Sequence, residues 1–468
     1  MTIYSRQHNM CLNYWPLRLN IYSHKLSADS DGAIRVLAVG RIHRPHEGMT
    51  MKSRATTVAA ASVAATLLLA LTGCSGGSAE SGSTIEFQTN ASVDSKLMIA
   101  LEEVTAAFEE ANPGVTIDLV APSSQYEADM KVRLAAGDAP DIFATHGWSL
   151  LRYSEFLEPL QNEAWAANFN PALDSAMRND AGEFFALPID TDVAGIIYNA
   201  DVLTAAGVDP ASISTWDDFA EAAAAVDASG IAPIAVSGKD GGPAGNLADW
   251  IVAGAYTPEQ LDELSAGSFV DAPYATTLDL IDGWRTSGYF NPDYSSATSD
   301  DVSRALADGN TAFVFSQNQA ANNALQYNPD ANLGFMPVPS LTDEDPYLVG
   351  GEFNAFGISK TSEHLDDAKA YLAFLAQPEN ITVLAESVGN LPGLTDASAD
   401  LGPLQESFDT HVISGSAPLV PYFDRVYLPN GMWNTMVTTT DSIITGQSSV
   451  DQAVTQVDAD FTSLWGQS

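Results

Sequence analysis

An α/β protein, with strands in parallel sheets and helices on their faces, is what the sequence predicts, and two stretches carry that prediction. Between Thr84 and Thr145, short β-branched and aromatic runs alternate with helical patterns in the order strand, helix, strand, helix, strand. Such alternation feeds a parallel sheet. From Leu187 to Asn199 the chain reads Leu-Pro-Ile-Asp-Thr-Asp-Val-Ala-Gly-Ile-Ile-Tyr-Asn. Its apolar run Ile196–Tyr198 reads as a short buried strand, and the polar segment before it as extended chain. Side chains alternate faces along a strand, so Asp190 and Asp192 point the same way. At 468 residues the chain is long enough for two or more domains and a large core.

The elements follow in order. Residues 1–48 show no clear periodicity and read as an extension ahead of the true start at Met49 or Met51. Four of the seven histidines fall there (His8, His24, His43 and His46), too scattered for a metal site. Lys52 and Arg54 precede the apolar run Val58–Leu71, the pattern of a secretory signal over 49–73. Ser75–Ser83 is a Gly/Ser-rich tether. Thr84–Thr89 is a first strand, and Ser95–Ala111 a helix with Leu97, Ile99, Leu101, Val104, Ala107 and Phe108 on a broad buried face. Val115–Val120 is a second strand, Tyr126–Ala136 a helix stopped by Gly137, and Ile142–Thr145 a third strand. Thr215 caps an alanine-rich helix with Asp217 and Asp218 in its first turn, where the helix dipole favours acids. Further on come a strand ending in Ser316-Gln-Asn-Gln, a return strand over Leu348–Ile358, a helix over Leu365–Ala376, a helix over Trp433–Ile444 and a last helix ending at Trp465. Trp216, Trp284 and Trp465 read as structural.

Charge excludes whole classes of function. The net charge is −41, and residues 1–73 alone carry 8 Lys+Arg against 3 Asp+Glu, so the chain beyond them is more acidic still. Such a surface repels nucleic acid and anionic membrane faces. The two cysteines, Cys11 and Cys74, leave the body of the chain no disulfide and no metal spacing.

"Leu-Pro, polar segment, Ile-Tyr-Asn, helix with Gly, Thr-Trp-Asp-Asp-Phe" resembles the inter-lobe crossing of the extracellular solute-binding proteins, in the sugar-binding branch that serves ABC importers. The resemblance runs from Thr84 to the end, and includes Gly137-Asp-Ala-Pro-Asp-Ile-Phe143. It implies a two-lobed type II binding-protein fold, each lobe a sheet flanked by helices and joined by a hinge near 190–195 and 348–352. Lobe one takes 84–190 plus 352–392, and lobe two 195–348 plus 395–468. Leu71-Thr-Gly-Cys74 resembles a lipobox, which makes Cys74 the lipidated first residue of an exported protein on the outer face of the cytoplasmic membrane, followed by a tether over 74–83. Two acyl chains hold a protein where one does not. Implied partners are a mono- or oligosaccharide, captured in the inter-lobe cleft, and two permease subunits with a cytoplasmic ATPase. The expected protein is a monomer with no nucleic acid, no cofactor and no contact with the membrane beyond the anchor.

Sugars need planar hydrogen-bonding groups for their hydroxyls and aromatic faces for their C–H sides. The resemblance puts Trp433 on a ring-stacking position, Trp148 among the residues past the third strand that face ligand (with His146 and Gly147), and Asp192 on a hinge carboxylate. Asp190 shares its face; the bland reading of both acids is hinge hydrogen bonding. Gln317 and Asn318 end a strand where open α/β sheets bind ligands. Glu352, Asn90 and Trp250 complete the expected set, although Trp250 equally fits a core. His146 reads as structural. A glycoside hydrolase is the rival enzyme, but two acids on one strand face would sit on the same side of a sugar. A peptide binder would want an arginine in the cleft, and few of the basic residues beyond Gly73 fall near it. A polyamine binder would use the acids.

Overall fold

The computed structural model describes residues 82–466 apart from Ser124 and Asp343. The expected extension, signal segment, Cys74 and most of the tether lie outside these residues. Among the described residues, twelve strands make two sheets. The first half of the chain contributes β1 (Ser83–Gln88), β2 (Val115–Val120), β3 (Ile142–Ala144), β4 (Leu187–Pro188), β5 (Asp190–Asn199) and β6 (Ala232–Ile234). The second half adds β7 (Thr311–Gln317), β8 (Leu333–Met336), β9 (Leu348–Gly351), β10 (Ala355–Ile358), β11 (Leu391–Pro392) and β12 (Leu419–Pro421).

Lobe one is the sheet β2-β1-β3-β10-β4. Its β1 pairs in parallel with β2 and β3, as the alternation requires, while β10 runs antiparallel to β3 and β4. Phe87, Phe108, Phe356 and Tyr371 fill its core, with Phe87 and Phe356 edge to face at 4.7 Å. The Lys96–Ala111 helix starts on Ser95, whose side chain accepts from the Met98 amide. Its buried face is narrower than the sequence suggests: Leu97, Leu101, Val104 and Phe108 are buried, whereas Ile99 is 57% exposed and Ala107 faces solvent.

Lobe two is the sheet β12-β9-β5-β7-β6, with β8 and β11 also on β5. Period-two alternation along β5 sends Ala194 and Ile196 to one apolar cluster and Val193 and Ile197 to another, so helices cover both faces. Thr215 and Asp218 form a capping box at the start of the Trp216–Ala228 helix. Trp216 and Trp284 pack together at 5.6 Å within this core. Trp465 does not: it lies just past the last helix, 39% exposed, stacked on Phe461.

The chain passes between the lobes at the junction of β4 and β5. It returns through Glu352–Asn354, which splits the expected single return strand into β9 in one sheet and β10 in the other. A third passage follows β11, because Leu394 packs in the lobe-one core and Leu401 in that of lobe two. No described helix is long and apolar enough to cross a membrane, and no described group of His, Cys, Asp and Glu could hold a metal.

Candidate ligand-binding site

The passages are tied together by side chains the sequence flags. Asp190, fully buried, accepts from the amides of Phe353 (3.1 Å) and Asn354 (2.9 Å) and from Asn354 Nδ2 (2.6 Å). Asn354 Oδ1 in turn accepts from Asn90 Nδ2 at 3.1 Å, at the end of β1. Asp190 therefore spends its oxygens inside the hinge. Burial still pushes its carboxyl up to about 6, against the pull of those donors. Asn318 does the same for the third passage, donating to the Gly389 carbonyl while its Oδ1 faces the Val193 amide at 3.5 Å.

Two residues along β5, Asp192 stands in a different setting. It is 2% exposed and Glu352 is 0% exposed, yet none of their four carboxylate oxygens has a hydrogen-bond partner among the described residues. The buried Tyr422 hydroxyl, beside Asp192, is also unpartnered by hydrogen-bond geometry. The nearby cation is Arg425, whose Nη1 donates to the Glu352 carbonyl at 2.8 Å. Burial pushes both carboxyls up to about 7, while the Arg425 charge holds them back from rising further. Behind them the Asp249 carboxylate accepts from the Asp424 amide at 2.8 Å and so fixes the turn that carries Arg425; burial also drives Asp249 well above the usual range.

Lobe one supplies the facing wall. His146 is the one described non-glycine residue with positive φ, at 45°, and Gly147 follows at 76°, which turns Trp148 toward lobe two. A Cβ on Gly147 would lie 2.5 Å from Arg425 Nη1, so only glycine admits the guanidinium here. The Trp148 ring has the Arg152 guanidinium at 4.1 Å and that of Arg425 at 5.7 Å. His146 Nδ1 meets the Phe353 carbonyl at 3.2 Å, and burial lowers its imidazole to about 4, so it is neutral. Arg152 Nη2 also donates across the lobes to Asn430 Oδ1 at 3.0 Å.

Asn90, Trp148, Asp190, Asp192 and Glu352 are thus brought around the passages. Trp433 lies apart, partly exposed and packed against the Gly242–Val252 helix, where a Cβ on Gly245 would come 3.0 Å from its ring. Gln317 and Asn246 line a small lobe-two cavity of about 200 Å³ that does not include Trp433. Trp250 is fully enclosed in the lobe-two core and offers a ligand no surface. Sequence reasoning missed Arg425, Tyr422 and Asn354. Asn354 could have been found, since it is the polar residue of the return passage; nothing in the spacing around Asp424-Arg425-Val426 marks that arginine.

Comparison with known proteins agrees with this geometry. Residues 94–382 match the family described as bacterial extracellular solute-binding protein. The melibiose/raffinose/stachyose-binding protein MelE of Bacillus subtilis is 29% identical over 383 residues, spanning 80% of this chain and 88% of that one. A Bacillus subtilis binding protein solved in an open conformation superimposes with a TM-score of 0.76 at 27% identity, over 83% of this chain and 98% of that one. A Bacillus licheniformis sugar transporter protein in complex with stachyose gives 0.71 at 28% identity, over 82% and 100%. With the two-lobed fold and more than half of its length matched, the chain belongs to the bacterial extracellular solute-binding protein family.

Proposed function

We propose that this chain is the substrate-binding lipoprotein of an ABC importer, which captures an oligosaccharide between its lobes and delivers it to a membrane permease. The observation that carries the reading is the pair Asp192 and Glu352, buried acids with unpartnered oxygens near Arg425, whose guanidinium lies 5.7 Å from the Trp148 ring. Sugar hydroxyls donate to such oxygens, each charge-assisted bond being worth about 1.5–3 kcal/mol. The stachyose complex of one relative and the sugars named for another support the same cargo class. A relative named for sn-glycerol-3-phosphate, 24% identical, raises the question of an anion. Arg425 does not answer to one here, because Asp192, Glu352 and Asp424 already surround its charge. A polyamine is disfavoured for the converse reason: Arg425 occupies the place its ammonium would take.

The lobes close on the ligand by hinge motion, no bond of the ligand is broken, and Cys74 carries the lipid that keeps a monomer at the outer face of the cytoplasmic membrane. A thermal-shift panel of di- and oligosaccharides, polyamines and peptides tests the cargo. Ligand at about 100 times its dissociation constant adds roughly 2.7 kcal/mol. A rise with one glycan series that stays intact supports the reading; a rise only with polyamines or peptides, or cleavage of the glycan, sinks it. Metabolic labelling with a fatty-acid analogue, lost in Cys74→Ser, tests the anchor.

A further inference from the structure

We propose that Asn430 is a self-modifying site. Its side-chain amide is lost to attack by the backbone nitrogen of Gly431, Arg152 of the facing lobe assists, and the product weakens a contact between the lobes. The proposal does not depend on what the cleft binds.

Asn430-Gly431 is the one Asn-Gly pair in the 468 residues. The pairing matters because the attacking nitrogen belongs to the following residue, and glycine alone leaves it unshielded by a Cβ. Asn112, Asn170, Asn291 and Asn328 precede proline, which has no N–H to give up. Asn430 and Gly431 are both exposed, just ahead of the Met432–Ile444 helix. Their turn is closed by the Met432 amide on the Pro429 carbonyl at 3.2 Å, with Gly431 at its third position, φ 105° and ψ −13°. The Gly431 amide itself has no hydrogen-bond partner among the described residues, so the nucleophile is free.

The electrophile is set by the other lobe. Asn430 Oδ1 accepts from Arg152 Nη2 at 3.0 Å. Arg152 is held there by an ion pair with Glu127 and by the Trp148 face at 4.1 Å. As the Gly431 nitrogen adds to Cγ, negative charge develops on Oδ1, the atom to which the guanidinium already donates. The Gly431 nitrogen gives up its proton and bonds to Cγ, the Cγ–Nδ2 bond breaks, and ammonia leaves with that proton. A succinimide ring remains. Water opens it at Cγ to give aspartate, or at the more reactive α-carbonyl to give isoaspartate, the larger product. Neither step needs an oxidant or a cofactor. Aspartate leaves an acceptor for a guanidinium that Glu127 and Asp424 already face, so it adds little. Isoaspartate lengthens the main chain by one carbon and shifts the carboxylate off Arg152, so the contact is lost.

Peptide mapping by mass spectrometry of the intact chain, stored warm at neutral pH, tests the site. Asn430 should convert ahead of every other asparagine, and Asn430→Gln should abolish conversion there. Arg152→Gln should slow conversion about fivefold, the worth of an exposed charge-assisted bond, and Arg152→Lys, which keeps the charge, should largely restore it. By small-angle X-ray scattering the converted chain should be more expanded than the fresh one, while stored Asn430→Gln stays unchanged. Conversion at Asn430 no faster than at other asparagines overturns the site. A rate unchanged or raised in Arg152→Gln overturns the part given to Arg152, and an unchanged radius in the converted chain overturns the effect on the lobes.

Discussion

Replacing Asp192 by asparagine should flatten the dependence of stability on pH between 5 and 8. In the structure the Asp192 carboxyl is held near 7 by burial, from an ordinary value of 3.8. The folded chain thus keeps a proton over a range in which the unfolded chain has already released it. Stability is then highest below the unfolded value and falls as pH rises toward the folded one. Integrated from pH 5 to pH 8, one such group removes about 2–3 kcal/mol, at 1.36 kcal/mol per unit. Glu352, also near 7, adds a similar amount with the same sign. Thermal melts of the ligand-free protein at four pH values, beside Asp192→Asn and the double variant Asp192→Asn/Glu352→Gln, measure the difference directly. The many surface carboxylates contribute equally to all three proteins and cancel. Identical slopes in the parent and the double variant would refute the burial argument.

Two further outcomes concern Trp433 and Gly147. Trp433→Ala should weaken sugar binding by roughly 2- to 12-fold, the worth of an aromatic face at about 0.5–1.5 kcal/mol, and leave the ligand-free chain folded, with a lower melting temperature from the packing lost against Gly245; calorimetry that finds unchanged affinity removes Trp433 from the site. Gly147→Ala should weaken binding more than Trp433→Ala and also lower stability, because its φ of 76° strains any side chain and the new Cβ would meet Arg425 Nη1 at 2.5 Å; an unchanged Kd shows that Arg425 need not approach lobe one.

Much of the fold was legible because local rules and tertiary structure agree. The runs Val115–Val120 and Tyr126–Ala136 occupy the residues that periodicity and the Gly137 stop assign to them, and Thr215 caps its helix as its type and position suggest. The misses have a common origin in tertiary context. Leu348–Ile358 reads as one strand because its apolar pattern continues across Glu352–Asn354; only the partner strands reveal that it belongs to two sheets. Ile99 and Trp465 are apolar residues whose neighbours leave them partly in water. Asp190 and Asp192 are indistinguishable in sequence, two acids on one strand face. What separates them is tertiary: the return passage brings the Phe353 and Asn354 amides to Asp190, whereas Asp192 meets only the Arg425 charge and the unpaired Tyr422 phenol from beyond β12. Arg425 was invisible because its role depends on acids from two distant segments, Asp192 on β5 and Glu352 in the return passage.

The same two acids have another way to escape burial, and it bears on how the protein works. In the structure the lobes touch through Arg152 and Asn430 and through Arg425 against Gly147, with Asp192 and Glu352 enclosed and unpartnered. An unsatisfied buried polar group costs about 1–3 kcal/mol, more when charged. Opening the hinge would return these oxygens to water; ligand hydroxyls would satisfy them without opening it. Sugar therefore favours the closed form by what it supplies to groups that water already satisfies in the open one, and this differential is what shifts a two-state equilibrium. The consequence can be measured by small-angle X-ray scattering. At pH 8, where both acids are ionised, the ligand-free chain should have a larger radius of gyration than at pH 5, and saturating sugar should reverse the expansion. Asp192→Asn/Glu352→Gln should lose the pH response. If that variant expands with pH as the parent does, the expansion comes from the surface charge, and the buried acids do not govern closure.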